Sequence, residues 1–289
     1  MKQPFFSGVC TALVTPFLDG RINYPMMEVL LRRQINAGIS AVVVCGTTGE
    51  SPTLSDDEKL QLFRRCKEFV GKDCKIIAGT GSNSTEHTVS LSKAAQDSGV
   101  DGLLVVSPYY NKATPSGLTA HYRAVAQSVD IPIIVYNVPS RTGVDISPTV
   151  CKTLSEIPNI AGIKEASTDI CKITRIRHLC GGDLPIWSGN DDQTVPVISL
   201  GGAGVISVLS NLFPAETQAM AMAAIAGDFD TAAELQTHFL PFTDLLFSEV
   251  NPIPVKAAMK YIGYDCGDCR MPLTPLSSHL AEKLKALLV

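Results

Sequence analysis

Residues 40–79 read SAVVVCGTTGESPTLSDDEKLQLFRRCKEFVGKDCKIIAG and hold one complete strand-helix-strand unit. The runs at 40–45 and 74–79 are short, apolar and β-branched, without polar alternation. That is the pattern of strands covered on both faces. Between them Leu62, Phe63, Cys66, Phe69 and Val70 recur at helical spacing. Ser55 with Glu58 makes a capping box that opens this helix, and Gly71 closes it. The unit recurs outward in both directions, with further strand runs at 8–14 (GVCTALV), 102–106 (GLLVV), 132–136 (PIIVY), 159–164 (NIAGIK), 184–188 (LPIWS) and 203–207 (AGVIS). Most intervals between them carry helical periodicity. Eight alternating units predict an α/β fold, a (β/α)8 TIM barrel rather than an open doubly wound sheet. No G-x-G-x-x-G follows the first strand, which argues against a dinucleotide-binding fold. From about 211 the pattern is helical only, with helices expected at 215–226, 229–246 and 278–288. The expected division is a barrel over 1–225 and a helical region over 226–289 packed on it, with no low-complexity linker between.

Composition narrows the function classes. The chain has 289 residues, 45% of them hydrophobic, enough to bury a large core. No apolar run approaches the ~18 residues of a membrane span. The start, MKQPFFSGVC, lacks a basic segment followed by an apolar stretch, so a cytoplasmic location is expected. Nine cysteines, an odd number scattered along the chain, suggest reduced core thiols rather than a disulfide framework. Cys266 and Cys269 form one C-x-x-C, a weak metal signal without a second pair or nearby histidines. A net charge of −4 and a pI near 5.7 give no electrostatic reason to expect nucleic acid.

Barrel enzymes place their chemistry at the C-terminal ends of the strands, and the unusual residues of this chain fall there. Gly46-Thr47-Thr48-Gly49-Glu50 follows the second strand, Pro108-Tyr109-Tyr110-Asn111 the fourth, Tyr136-Asn137 closes the fifth, Lys164-Glu165 the sixth, and Ser188-Gly189-Asn190 follows the seventh. Lys164 stands out because its neighbours Ala161, Ile163 and Ala166 suit an interior. A strand-end lysine can snorkel to solvent. Kept among apolar groups it instead favours the neutral amine, a nucleophile toward a ketone. The G-T-T-G stretch reads equally as a plain turn or as a cradle whose N–H groups and hydroxyls bind a small carboxylate. Tyr136 suits either packing or proton transfer. Arg141 suits either a solvated loop or a carboxylate clamp.

Taken together, GTTGE, PYYN, YNVPSRTG, GIKEAS, GVISV and Asn251-Pro-Ile-Pro-Val-Lys256, in this order and spacing, resemble the dihydrodipicolinate synthase branch of the pyruvate-dependent Schiff-base aldolase superfamily. The likeness spans essentially the whole chain. It implies condensation of pyruvate with L-aspartate 4-semialdehyde to 4-hydroxy-tetrahydrodipicolinate, in diaminopimelate and lysine biosynthesis, with no metal or organic cofactor. By the same resemblance Lys164 forms the Schiff base. Thr47, Tyr136 and Tyr110 relay protons, Tyr110 coming from a neighbouring subunit. Thr48 holds the pyruvate carboxylate, Arg141 guides the carboxylate of the aldehyde, and the Gly189 carbonyl and Ile206 line the pocket. The implied assembly is a homotetramer, a dimer of dimers.

Two other readings remain at this stage: a sibling aldolase acting on a sialic acid or keto-deoxy sugar acid, against which Arg141 and the Thr47-Thr48 pair argue, and a catalytically silent barrel that binds small acids. Ser51, Asn83 and Tyr109 resemble part of the lysine-effector site of feedback-regulated relatives. His87 and Lys59 depart from it, so little or no inhibition by lysine is expected.

Overall fold

The computed structural model describes residues 1–288. All eight expected runs are strands in it. The strands are β1 (Gly8–Ala12), β2 (Phe17–Leu18), β3 (Arg21–Ile22), β4 (Ala41–Val44), β5 (Lys75–Gly79), β6 (Gly102–Val106), β7 (Ile133–Asn137), β8 (Ile160–Glu165), β9 (Ile186–Ser188) and β10 (Gly204–Ser207). β1 and β4 to β10 close into a barrel, each strand parallel to the next and β10 returning to β1. β2 and β3 form a small antiparallel hairpin that sequence periodicity did not predict, being too short to show any.

Alternation along each strand builds two separate apolar layers. Ile134 and Tyr136 of β7 join Cys10, Val43, Leu104 and Trp187 inside the barrel. Ile133 and Val135 face the surrounding helices. Phe6, just ahead of β1, stacks on Trp187 with ring centroids 4.7 Å apart. The expected run at 40–45 is trimmed at its end because Cys45 adopts φ 55° and turns the chain out of the strand. The next strand leaves room for that turn by having glycine there: a Cβ on Gly79 would lie 2.1 Å from the Cys45 carbonyl oxygen.

The helix after β4 runs Asp56–Val70, and both halves of its capping box form, with Gly71 as its C-cap. The three later helices lie at Pro214–Ala226, Phe229–Leu246 and Ser278–Leu288. A further helix, Ile253–Tyr261, was not expected. Its opening, Ile-Pro-Val, reads as a breaker, yet a proline in the first turn loses no intrahelical bond. Phe239, Leu246, Val255, Met259 and Leu284 share one core with the outer faces of the barrel strands. Among the described residues no helix is long and apolar enough to cross a membrane.

Candidate active site

The C-terminal ends of the barrel strands surround a cavity of about 170 Å³ lined by Thr47, Thr48, Tyr136, Arg141, Lys164, Gly189, Asn190 and Asn251, among others. Register places its two central side chains together: Tyr136 of β7 pairs with Lys164 of β8. The Lys164 Nζ lies 4.4 Å from the centre of the Tyr136 ring. Both side chains are buried.

Lys164 differs from every other buried lysine. Lys59, Lys164, Lys172 and Lys256 are all buried. Lys59 pairs with Asp56 at 3.3 Å, Lys172 with Glu165 at 3.3 Å and Lys256 with Glu50 at 2.8 Å. Lys164 has no carboxylate within ion-pair distance and no hydrogen bond among the described residues. Within the described residues this leaves its Nζ free of any competing carboxylate and open to the cavity. Gly189 leaves room for the side chain, since a Cβ there would come within 3.1 Å of the Lys164 Cε and 2.5 Å of the Ala166 Cβ.

The G-T-T-G-E loop is a turn and a cradle at once. The N–H groups of Gly49, Glu50 and Ser51 donate back to Gly46 and Thr47 and are spent in the turn. Those of Thr47 and Thr48 make no hydrogen bond among the described residues and remain for a ligand. Thr48 Oγ1 accepts from Asn251 Nδ2 at 2.9 Å. Glu50, at φ 57°, is 1% exposed in its side chain. Its carboxylate accepts from Lys256 Nζ and from the Arg270 backbone N–H, each at 2.8 Å. The helical region after the barrel thus returns to the mouth and holds this loop.

Arg141 is exposed in the short helix Pro139–Thr142, and its Nη2 donates to the Asn251 carbonyl at 3.2 Å. Asn251 therefore bridges Thr48 and Arg141, and sequence inspection had not assigned it a role. Its own Oδ1 is buried without a partner. The N-P-I-P-V-K stretch was the available signal, but nothing local connects it to a threonine about two hundred residues earlier. Asp191 was also passed over. It is fully buried, its Oδ2 accepts from the N–H groups of Val208 and Leu209 at 2.9 and 3.1 Å, and burial raises its carboxyl above the usual range.

Two expected residues do not line the cavity of the single chain, one of which, Tyr110, was expected to come from a neighbouring subunit. Tyr110 is 87% exposed and does not line the cavity. Its φ of 72° is unusual for a bulky residue. Ile206 is fully buried inside the barrel, and Val208 rather than Ile206 forms the cavity wall there.

A neighbouring cavity of about 510 Å³ shares Thr47, Tyr136 and Arg141 as its wall. Ser51, Lys59, His87 and Tyr109 line it, whereas Asn83 does not. Asp56 sits between its two basic groups, 2.7 Å from His87 Nε2 and 3.3 Å from Lys59 Nζ. Burial works against the Asp56 charge, yet the His87 hydrogen bond and the Lys59 ammonium together hold its carboxyl below the usual range. In the segment that packs against the Glu50 loop, burial pushes the thiols of Cys266 and Cys269 up to about 12. No group of three or more potential metal ligands occurs among the described residues.

The chain matches the Dihydrodipicolinate synthetase family over residues 5–289. It is 47% identical over 281 residues to the 4-hydroxy-tetrahydrodipicolinate synthase of Lachnoclostridium phytofermentans, covering 96% of each chain. With that of Caldicellulosiruptor saccharolyticus it shares 48% over 288 residues, covering 99% of this chain and 97% of the relative. Among solved structures, the chloride-inhibited dihydrodipicolinate synthase of Acinetobacter baumannii complexed with pyruvate superimposes with a TM-score of 0.96 at 41% identity, covering 98% of each chain.

Proposed function

Because the chain belongs to the dihydrodipicolinate synthetase family, we propose that it is a lyase condensing pyruvate with L-aspartate 4-semialdehyde to 4-hydroxy-tetrahydrodipicolinate through a Schiff base on Lys164. The observation that carries the assignment is the isolation of Lys164: among the described residues it is the buried lysine without a carboxylate, and it faces the Tyr136 ring at 4.4 Å. The neutral amine attacks the pyruvate ketone, and Tyr136 shuttles protons as the carbinolamine loses water to an imine. Loss of a proton from the methyl carbon gives an enamine, whose carbon attacks the aldehyde. The new alkoxide takes a proton through Tyr136, Thr47 and Tyr110. The substrate's amine then displaces Lys164 and closes the ring. The protonated imine is itself the electron sink, so the scheme calls for no cofactor. Thr48 and the free N–H groups of its loop hold the pyruvate carboxylate, with the Gly189 carbonyl beside it and Ile206 packed beneath.

Incubating the protein with pyruvate and borohydride, then weighing it intact, is the direct test. A single reduced adduct on Lys164 is expected, and its absence would reject the Schiff-base mechanism. The aldehyde partner is tested by Arg141→Leu. Only the second substrate's carboxylate should reach this exposed guanidinium, so kcat/KM for the semialdehyde is expected to fall by roughly 10–100-fold, the scale of one lost charge-assisted contact, while the KM for pyruvate changes little. Equal losses for both substrates would count against that role.

The relay requires Tyr110 from a second copy, and its exposure and positive φ in the single chain support a site completed by a partner. The proposed assembly is a homo-oligomer, two such dimers forming a tetramer, working in the cytoplasm. Sedimentation at assay concentration is expected to find no active monomer; a fully active monomer would remove Tyr110 from the relay.

Free lysine is expected to inhibit weakly or not at all. In the neighbouring cavity Asp56, the one carboxylate among the lining residues described, already faces both His87 and Lys59, so an incoming ammonium finds no unshared carboxylate. One missing charge-assisted hydrogen bond costs roughly 1.5–3 kcal/mol, or about ten- to hundredfold in affinity. Initial rates at subsaturating pyruvate across a lysine titration check this; marked inhibition below millimolar lysine would refute it.

A further inference from the structure

The residues that follow Tyr136 and Lys164 point away from the cavity. Successive side chains of a strand alternate faces, so Asn137 and Glu165, also partners in register, lie on the helix side of the sheet. Both are buried. Asn137 Nδ2 donates to the two Glu165 carboxylate oxygens at 2.9 and 3.0 Å and to Asp145 Oδ1 at 2.8 Å. From the helix Ile170–Cys180, the buried Lys172 ammonium bonds Asp145 and lies 3.3 Å from Glu165 Oε2. Two backbone donors add to the buried members: Asn137 Oδ1 takes the Ile146 N–H at 2.9 Å, and Glu165 Oε1 takes the Ser167 N–H at 2.8 Å.

Stability alone does not explain such a cluster. A buried ion pair is often no more stabilising than apolar residues of the same volume, because desolvation offsets the attraction. A hydrogen-bonded network with a buried centre does, however, fix geometry, and here Asn137, Glu165 and Lys172 are buried while Asp145 is the exposed member. This one joins the neighbour of Tyr136, the neighbour of Lys164, and the far end of the loop that bears Arg141. It does not touch Thr48, which is held from the other side by Asn251.

We infer that Asn137, Glu165, Lys172 and Asp145 are positioning residues that set, from outside the barrel, the placement of Tyr136 against Lys164 and of the Arg141 loop above them. The inference rests on the roles proposed for Lys164 and Tyr136. Because the pyruvate carboxylate is bound elsewhere, disturbing the cluster slows the proton-transfer steps and spares pyruvate binding.

The test compares Glu165→Gln and Lys172→Met with Lys172→Arg, and with Leu284→Ala as a control buried in the C-terminal helix Ser278–Leu288. Displacement of reacting groups by even an ångström costs up to about 10²-fold, so kcat is expected to fall roughly 10–100-fold in the first two, with the KM for pyruvate within about twofold of wild type. Lys172→Arg should recover most of kcat. Leu284→Ala should lower Tm and leave kcat unchanged. If Lys172→Met does not fold, Asn137→Ser carries the same expectation. Wild-type kcat in Glu165→Gln and Lys172→Met, with Tm lowered as in the control, would overturn the positioning role, as would a failure of Lys172→Arg to recover activity. Borohydride trapping of wild type, run alongside, keeps the two ideas apart: no wild-type adduct would reject the Lys164 assignment, whereas a normal adduct with unaffected variants would reject only the cluster's role.

Discussion

Replacing Lys164 with alanine is expected to abolish the borohydride-trapped pyruvate adduct and to lower turnover by about 10³-fold or more, since a positioned nucleophile replaces an encounter in solution worth many orders of magnitude in effective concentration. The barrel should remain folded. Lys164 makes no hydrogen bond or ion pair among the described residues, so its removal strands no buried partner. What is lost is packing of the aliphatic stem, about 1–3 kcal/mol against a typical domain stability of about 5–15 kcal/mol. The same change at Lys172 or Lys256 would leave a buried carboxylate unpaired, the more damaging event. Intact mass after trapping, with circular dichroism as the folding control, decides the matter. An adduct that persists in Lys164→Ala would place the Schiff base on another lysine.

The second large effect is expected from Tyr136→Phe. This change removes one hydroxyl and keeps the ring, which lies beside Lys164 at 4.4 Å. The hydroxyl makes no hydrogen bond within the described chain, so its loss should cost little stability. Turnover should fall by roughly 10²–10⁴-fold, the scale of a positioned acid-base group. Pyruvate should still be trapped to the same final extent, but more slowly, because binding survives while dehydration of the carbinolamine loses its proton carrier. An unchanged kcat would remove Tyr136 from the mechanism.

Much of this protein is written locally. Unbroken apolar runs such as 40–45, the Ser55 and Glu58 capping box and Gly71 predict strand and helix from neighbouring residues alone, and the structure contains them with only their edges trimmed. Strand-end placement alone also predicts Thr47, Thr48, Tyr136, Lys164 and Gly189 at one mouth, where they line one cavity, whereas Tyr109, Tyr110 and Asn111, predicted there by the same rule, do not line it. Alternation along a strand, together with a closed parallel sheet, suffices for that.

What sequence could not decide depends on contacts between distant segments. That Lys164 is unpaired while Lys59, Lys172 and Lys256 each meet a carboxylate is a property of which side chains fold against them. Asn251 touching both Thr48 and Arg141, Glu50 held by Lys256 and Arg270, and Asn137 clasping Glu165 are likewise products of closure. Strand periodicity assigns a residue to a face of the sheet. Only the packed chain brings its partners within hydrogen-bonding distance, and in a protein interior those partners determine which group is anchored and which is left free to react.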